Sequence, residues 1–265
     1  MTVTPETIDA FQTDGATVLR GVFADWVERL RAGIDRNLAE PGPFQRLYTP
    51  AGGSGRFVGD YCNWARIPEY RSFVFESPAA AIAADLMGSK TARFFHEHIL
   101  VKEPGTREVT PWHHDQPYYC VDGSQVLSLW IPLDPVQRDV CVEFVAGSHR
   151  WGRWFRPRKF NGTAYDHKGD GIEEMPDISG RRGDYRLLGW DLEPGDAIAF
   201  HFLTVHGAPG NFSAKRRRAF AARWLGDDAV YASRPGEISP PFPGLEKRLK
   251  PGEPLATDEF PLIIS

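Results

Sequence analysis

Residues 91–133 read TARFFHEHILVKEPGTREVTPWHHDQPYYCVDGSQVLSLWIPL, and this stretch decides the fold. Two runs of β-branched and aromatic residues, Thr91–Val101 and Val126–Leu133, flank a segment dense in turn-forming residues. The same texture continues through Cys141–Val145, Tyr185–Leu188, Ala197–Phe200 and Arg218–Leu225. Short strands punctuated in this way predict a sandwich or barrel, here a β jelly roll.

The chain before residue 91 reads differently. Pro5–Thr13 predicts a short helix, with Thr4 as N-cap, Pro5 in the first turn and Gly15 beyond the end. Ala16–Leu19 predicts a short strand. Ala24–Ala39 predicts an amphipathic helix with Trp26, Leu30, Ile34 and Leu38 on one stripe, stopped at Pro41-Gly-Pro43. Residues 41–66, rich in Gly and aromatics, read as irregular loop. Pro78–Met87 predicts another helix, ended by Gly88. The expected architecture is mainly β with helical additions, a jelly-roll core with N-terminal helices packed on it. No linker is visible, so residues 1–265 read as a single domain: a helical part of about 1–90, a core of about 91–226 and an extension of about 227–265. Residues 147–184 hold seven glycines and many charges with little apolar periodicity, which predicts a functional lid or a disordered insert.

Composition narrows the function. Of 265 residues, 42% are hydrophobic and 25% charged, ordinary for a globular protein with a sizeable core. A net charge of −4 argues against nucleic acid held by bulk electrostatics. Neither a secretory leader nor a membrane-spanning run is visible. Cys62, Cys120 and Cys141 are too few and too scattered for a disulfide framework or zinc ribbon, although a Cys120–Cys141 bridge stays open. A cytoplasmic monomer or homodimer is expected.

Within the opening stretch, His113 and Asp115 are two residues apart, so on an extended chain both point to one face and can bind one ion. The segment Pro194-Gly-Asp-Ala-Ile-Ala-Phe-His201-Phe-Leu-Thr-Val-His206 offers a third ligand in His206. Two histidines and one carboxylate form the facial triad that leaves open positions on non-haem iron(II). Arg217 follows eleven residues later. A β-hairpin return of that length brings its guanidinium beside the metal, where it can grip a carboxylate with two hydrogen bonds. A metal beside a carboxylate clamp suits a 2-oxo diacid.

These motifs, with Leu100-Val-Lys-Glu-Pro-Gly105, Leu129-Trp-Ile-Pro-Leu-Asp134, Phe144-Val-Ala-Gly-Ser-His149 and His206-Gly-Ala-Pro-Gly-Asn211, resemble the phytanoyl-CoA dioxygenase family from about residue 7 to residue 226. The resemblance implies a double-stranded β-helix, iron(II), 2-oxoglutarate and O2, and hydroxylation of an unactivated C–H bond of a small molecule with release of succinate and CO2. By position it implies His113, Asp115 and His206 as iron ligands. It also implies Arg217 on the distal carboxylate of 2-oxoglutarate, Lys102 as a second cation there, and Trp130 near an aromatic wall. The family often carries Ser where this chain has Ala208, which removes one hydroxyl. Related halogenases lack the carboxylate, so Asp115 disfavours halogenation; desaturation, ring closure and epoxidation stay open.

Other residues carry weaker readings. His114 points to the face opposite His113, and His201 ends an apolar strand, so both read as structural. Alternation sends Arg217 to one face and Arg216 and Arg218 to the other. If Lys102 faces the pocket, parity places Leu100, His98, His96 and Phe94 beside it and turns Glu97 away. His96 and His98 are then candidate substrate contacts. Trp112, Tyr118 and Tyr119 read as packing, with Tyr118 a candidate at the substrate mouth. Arg150, Arg153, Arg156, Arg158 and Lys159 form a basic stretch that could draw an anionic substrate beneath a closing lid. The expected substrate is a small polar or anionic metabolite. Two alternatives stay open: a cupin-type isomerase or hydrolase without 2-oxoglutarate, and a non-enzymatic jelly-roll binding module.

Overall fold

The computed structural model describes residues 3–156 and 171–265. Helix α1 (Pro5–Asp14) begins where the Thr4 side chain accepts a hydrogen bond from the Thr7 N–H, and ends at Gly15 with φ 76°. Strand β1 (Ala16–Leu19) follows directly. The expected second helix is a single turn of 3-10 helix at Ala24–Trp26 running into α2 (Val27–Ala39), with Leu30 and Ile34 fully buried. Residues 41–66 are not all loop. They contain β2 (Arg46–Leu47) and β3 (Phe57–Tyr61), the second buried at every position. Burial on both faces removes the alternation that marks a half-exposed strand, so its sequence carries no period. Helix α3 (Pro68–Glu76) was also unforeseen: Pro68 starts it, and Tyr70, Phe73 and Val74 are its buried face. Helix α4 (Ala79–Met87) ends at Gly88 with φ 63°.

The strands then build two antiparallel sheets. They are β4 (Ala92–Lys102), β5 (Thr110–His113), β6 (Val126–Pro132), β7 (Glu143–Val145), β8 (Leu187–Leu188), β9 (Ala197–His201), β10 (His206–Ala208), β11 (Arg217–Leu225) and β12 (Leu262–Ile264). The main sheet runs β1-β9-β6-β11-β4-β3-β2, with β12 on the remaining part of β4. The smaller sheet runs β8-β7-β10-β5. This is the jelly roll that the sequence predicts. The N-terminal part does more than cover it, because β1, β2 and β3 are strands of the main sheet itself.

Each face of the main sheet has its own core. Leu127, Leu129, Ile131, Phe220, Ala222 and Trp224 pack against the helices. Phe220 meets Tyr70 at 4.9 Å and Phe73 at 5.2 Å between ring centroids. Burying an aromatic side chain of this kind contributes about 1.5–3 kcal/mol. Trp130, Ile198, Phe200, Ala219 and Ala221 face inward, toward Phe144 and Ala208 of the smaller sheet.

One parity expectation fails. Arg223 pairs with His96 and Trp224 with Phe94, so Phe95 is an extra residue on β4. This bulge turns Phe94 to the helix side, edge-on to Trp224 at 5.1 Å, away from the cavity. The three cysteines are free. Among the described residues no helix is long and apolar enough to cross a membrane.

Candidate metal centre

His113 and His206 are directly opposed across the β5–β10 ladder. Their rings lie 4.2 Å apart, centroid to centroid. Each Nδ1 faces a backbone carbonyl, Pro111 O at 2.8 Å and Thr204 O at 2.9 Å. A carbonyl only accepts, so both Nδ1 atoms carry the proton and both Nε2 lone pairs are free. Those lone pairs converge on Oδ1 of Asp115, at 3.4 Å from His113 and 3.8 Å from His206. Burial, then His113, pushes the His206 imidazolium down to about 3, so the ring stays neutral.

Asp115 reaches this point by a route other than the expected extended chain. It follows β5 with φ −79° and ψ −36°, at the start of a 3-10 turn, and its N–H donates to Phe202 O at 2.7 Å. Its second oxygen, Oδ2, accepts from the Tyr119 hydroxyl at 3.0 Å and lies 3.7 Å from the Arg223 guanidinium. Arg223 in turn donates to the Tyr119 oxygen at 2.9 Å. Against its burial, the neighbouring His113, His206 and Arg223 hold the Asp115 carboxyl well below the usual carboxylate range.

The cluster opens on a cavity of about 550 Å³. Lys102 and Arg217, opposite one another on β4 and β11, line it as well. The two are 2% and 7% exposed, and among the described residues neither pairs with a carboxylate. The Lys102 ammonium donates to Glu108 O at 2.8 Å and Pro209 O at 3.1 Å and stands over the Phe57 ring. Arg217 donates to Val140 O. Burial, then Arg217, pushes Lys102 down to about 6; burial pushes Arg217 to about 10. Arg217 does not arrive by a hairpin, because β10 and β11 belong to different sheets. The connection crosses between them, pinned by Asn211, whose Nδ2 donates to Lys102 O at 3.0 Å and Lys215 O at 2.7 Å.

The other expected residues sort cleanly. Trp130, Tyr118, His96 and His98 line the cavity. Tyr118 stands edge-on to His113 at 5.9 Å. His114 points away and accepts from Phe155 N–H at 2.9 Å. His201 accepts from Leu203 N–H at 3.0 Å and faces Ser124 O at 2.9 Å. Arg216 pairs with Glu103 and Arg218 with Asp134, both at 2.8 Å. Glu97 faces the helices and accepts from Asn63 and Trp64 N–H; burial raises it to about 8. In the basic stretch, Arg153 pairs with Glu173 and Arg156 with Glu174, while Arg158 and Lys159 lie outside the described residues. Of the presumed lid, residues 157–170 are also outside them. Sequence reasoning missed Arg223 and undervalued Tyr119. Counting in twos from Arg217 along β11 reaches Arg223 on the cavity face.

Three lone pairs at this spacing repel unless a cation lies between them, and the donor atoms sit within 4.8 Å of one another. Two imidazole nitrogens and one carboxylate, open on one side, suit iron(II). Two buried basic side chains without a carboxylate partner among the described residues suit an arriving dianion, which favours the charged form of the lysine. Fold and site together define the class of iron- and 2-oxoglutarate-dependent oxygenases. The chain belongs to the phytanoyl-CoA dioxygenase family, whose model matches residues 11–219. A phytanoyl-CoA dioxygenase of Arabidopsis thaliana is 27% identical over 164 residues, 61% of this chain; the match spans 54%, about half, of that relative. SnoK, a non-haem α-ketoglutarate-dependent carbocyclase from nogalamycin biosynthesis, superposes with a TM-score of 0.77 at 25% identity over 98% of this chain and 96% of its own. The epimerase SnoN, solved with Fe3+, α-ketoglutarate and nogalamycin RO, has a TM-score of 0.77 at 24% identity over 97% of each chain. EctD from S. alaskensis, solved with 2-oxoglutarate and 5-hydroxyectoine, has a TM-score of 0.70 at 20% identity over 96% of this chain and 86% of its own. At these identities SnoN and EctD establish the fold alone.

Proposed function

We propose that this protein is an iron(II)- and 2-oxoglutarate-dependent dioxygenase that hydroxylates an unactivated C–H bond of a small molecule, with His113, Asp115 and His206 as iron ligands. The observation that carries the reading is one cavity holding both a cation-demanding cluster and two buried basic side chains, Lys102 and Arg217, with no carboxylate partner among the described residues. An isomerase or hydrolase using the same triad has no need of that cation pair. When bound, iron and 2-oxoglutarate together supply the O2-derived oxidant, with succinate and CO2 as by-products. The protein supplies placement. Arg217 and Lys102 anchor the distal carboxylate, Trp130 walls the pocket, and Asp115 offers one oxygen to iron while Tyr119 and Arg223 hold the other.

The substrate end is read from what remains of the lining. His96 Nδ1 donates to Glu97 O at 3.2 Å, so its Nε2 is an acceptor. Nε2 of His96 and of His98 are buried with no hydrogen-bond partner among the described residues. Burial, then Arg223, pushes the His98 imidazolium to about 3, so that ring is neutral. An unpaired buried acceptor costs about 1–3 kcal/mol, which a substrate hydroxyl or amide recovers on reaching it. Tyr48 and His98 both crowd Gly59, where a Cβ would lie 2.7 Å from each side chain. Tyr118 flanks the entrance to His113. With Lys102 and Arg217 occupied by co-substrate and Arg223 by Asp115, only Arg46 among the described cationic lining residues favours an anionic substrate. The lining better supports an uncharged, hydroxyl- or amide-bearing metabolite. Three free cysteines accord with a reducing cytoplasm, where the protein acts as monomer or homodimer.

Anaerobic titration with iron(II) and 2-oxoglutarate tests the reading through the visible charge-transfer band. The band should vanish in Asp115→Ala and weaken in Arg217→Ala. Iron binding without a band would point to the metal enzyme that does not use 2-oxoglutarate, and absence of iron binding to the binding module.

A further inference from the structure

One wall of the cavity lies beyond the family match. That match ends at residue 219, yet Glu237, Ile238, Ser239, Pro240 and Pro241 line the cavity from the C-terminal extension. The extension is fastened to the stretch that follows Asp115. Val121 pairs with Tyr231, the Ala232 N–H donates to Cys120 O at 3.0 Å, and the Ser239 N–H donates to Tyr118 O at 2.9 Å. Leu245, Leu255 and Phe260 anchor it in a core shared with Phe95, Tyr118 and Tyr119. Asp115 and this wall are therefore carried by one piece of backbone, which sets the place of Ser239 relative to the metal cluster.

Ser239 Oγ lies 3.4 Å from the Tyr61 hydroxyl, and among the described residues neither hydroxyl has another partner. An ordinary O–H···O bond spans about 2.5–3.0 Å, so the two are close without being satisfied. Tyr61 is the cross-strand partner of His98, with the rings edge-on at 5.2 Å. Tyr61 thus stands against both the Ser239 hydroxyl and the His98 imidazole. Nε2 of that neutral ring is buried with no hydrogen-bond partner among the described residues. Gly59, two residues before Tyr61 on the same face of β3, brings no side chain up to the nitrogen, where a Cβ would lie 2.7 Å away.

We propose that Ser239, with Tyr61 and His98, forms the subsite for an alcohol group of the substrate. The inference rests on the reading of this cavity as an oxygenase site and deepens it by naming the substrate group and the residues that select it. The hydrogen bonds run in one direction. The Tyr61 hydroxyl donates to Ser239 Oγ, the Ser239 hydroxyl donates to the substrate oxygen, and the substrate O–H donates to His98 Nε2. Each hydroxyl in such a chain both gives and accepts, which strengthens its neighbours. An alcohol fits because it does both at one atom. A carbonyl or ether oxygen only accepts, so either would leave Nε2 buried and unpaired.

The test measures affinity, not turnover. NMR titration of the zinc-substituted protein with 2-oxoglutarate bound gives Kd for two probes of closely similar shape, cyclohexanol and cyclohexanone. The alcohol should bind about two- to tenfold more tightly than the ketone, the order expected for one neutral hydrogen bond. Ser239→Ala should weaken both probes by a similar factor, because both accept from Ser239, and should keep the preference for the alcohol. His98→Phe keeps a flat ring without the nitrogen and should abolish that preference. Affinity for 2-oxoglutarate, measured on each variant, reports the state of the co-substrate end. Equal affinities of the parent for alcohol and ketone, or binding of neither, overturn the inference and leave the proposed function standing. So does a Ser239→Ala variant that binds both probes as the parent does, and so does a preference that survives in His98→Phe. Loss of 2-oxoglutarate in Ser239→Ala as large as the loss of the probes overturns it too, since that marks a general disturbance of the cavity. A parent protein that takes up metal but no 2-oxoglutarate overturns the proposed function and this inference with it.

Discussion

The Tyr119 hydroxyl donates to Oδ2 of Asp115 at 3.0 Å, on the opposite oxygen from the one that faces His113 and His206. The bond fixes the carboxylate's rotation, and Arg223 closes the set by donating to the Tyr119 oxygen. Tyr119→Phe removes one hydrogen bond and little volume. Iron(II) affinity should fall about 10- to 100-fold, the usual cost of losing an outer partner of a metal ligand, with the melting temperature of the iron-free protein nearly unchanged. Competitive iron titration against a chelator reads the first quantity. An unaltered iron affinity would show that Asp115 is oriented without Tyr119.

With Lys102 on the distal carboxylate, as proposed, binding of 2-oxoglutarate depends on pH. The buried Lys102 ammonium, beside Arg217, is pushed from an ordinary 10.5 down to about 6 in the free protein. Above that pH the free site holds a neutral amine, and an arriving carboxylate favours the charged form, so binding takes up a proton. Affinity for 2-oxoglutarate should therefore level off below about pH 6 and fall above it, by at most about tenfold per pH unit. Lys102→Met should bind more weakly and show no such slope. Calorimetry in two buffers of different ionisation enthalpy counts the proton directly; no uptake near pH 8 would rule out the mechanism.

Gly15 ties the first helix to His206, a proposed metal ligand. Its φ of 76° is in the left-handed region, and a Cβ there would lie 2.3 Å from His149 Nδ1 and 2.5 Å from Thr204 Oγ1. Its carbonyl accepts from the Thr204 hydroxyl at 2.7 Å, and Thr204 O in turn faces His206 Nδ1 at 2.9 Å. Gly15→Ala should destabilise the fold by at least about 1–3 kcal/mol and weaken iron binding through His206. Thermal melts with and without iron(II) check both. A variant with parental stability would show that the local packing yields at no cost.

That His113, Asp115, His206, Lys102 and Arg217 meet at one cavity was legible because their chemistry is specific and their order along the chain is fixed. The route to the site was less so. His113 and Asp115 do converge, but through a strand end and a 3-10 turn. Arg217 does reach the cavity, but by crossing between sheets. Bulges account for two further gaps: Phe95 displaces Phe94 from the cavity side, and the extra residue in β5 brings Thr110 in. A period-2 count cannot register an inserted residue that only the partner strand reveals. Strand β3 escaped because its five residues are all buried, and a Gly at its centre gives no β signal.

The first ninety residues enter the main sheet at both of its flanks: β1 lies against β9, while β3 and β2 extend it beyond β4. Tyr48, Phe57 and Tyr61, which line the cavity, come from this same part of the chain. The cavity wall and the frame that carries His113, Asp115 and His206 are therefore not separable pieces of inheritance. No cut near residue 90 frees a front part that could be exchanged between relatives without tearing strands from the barrel.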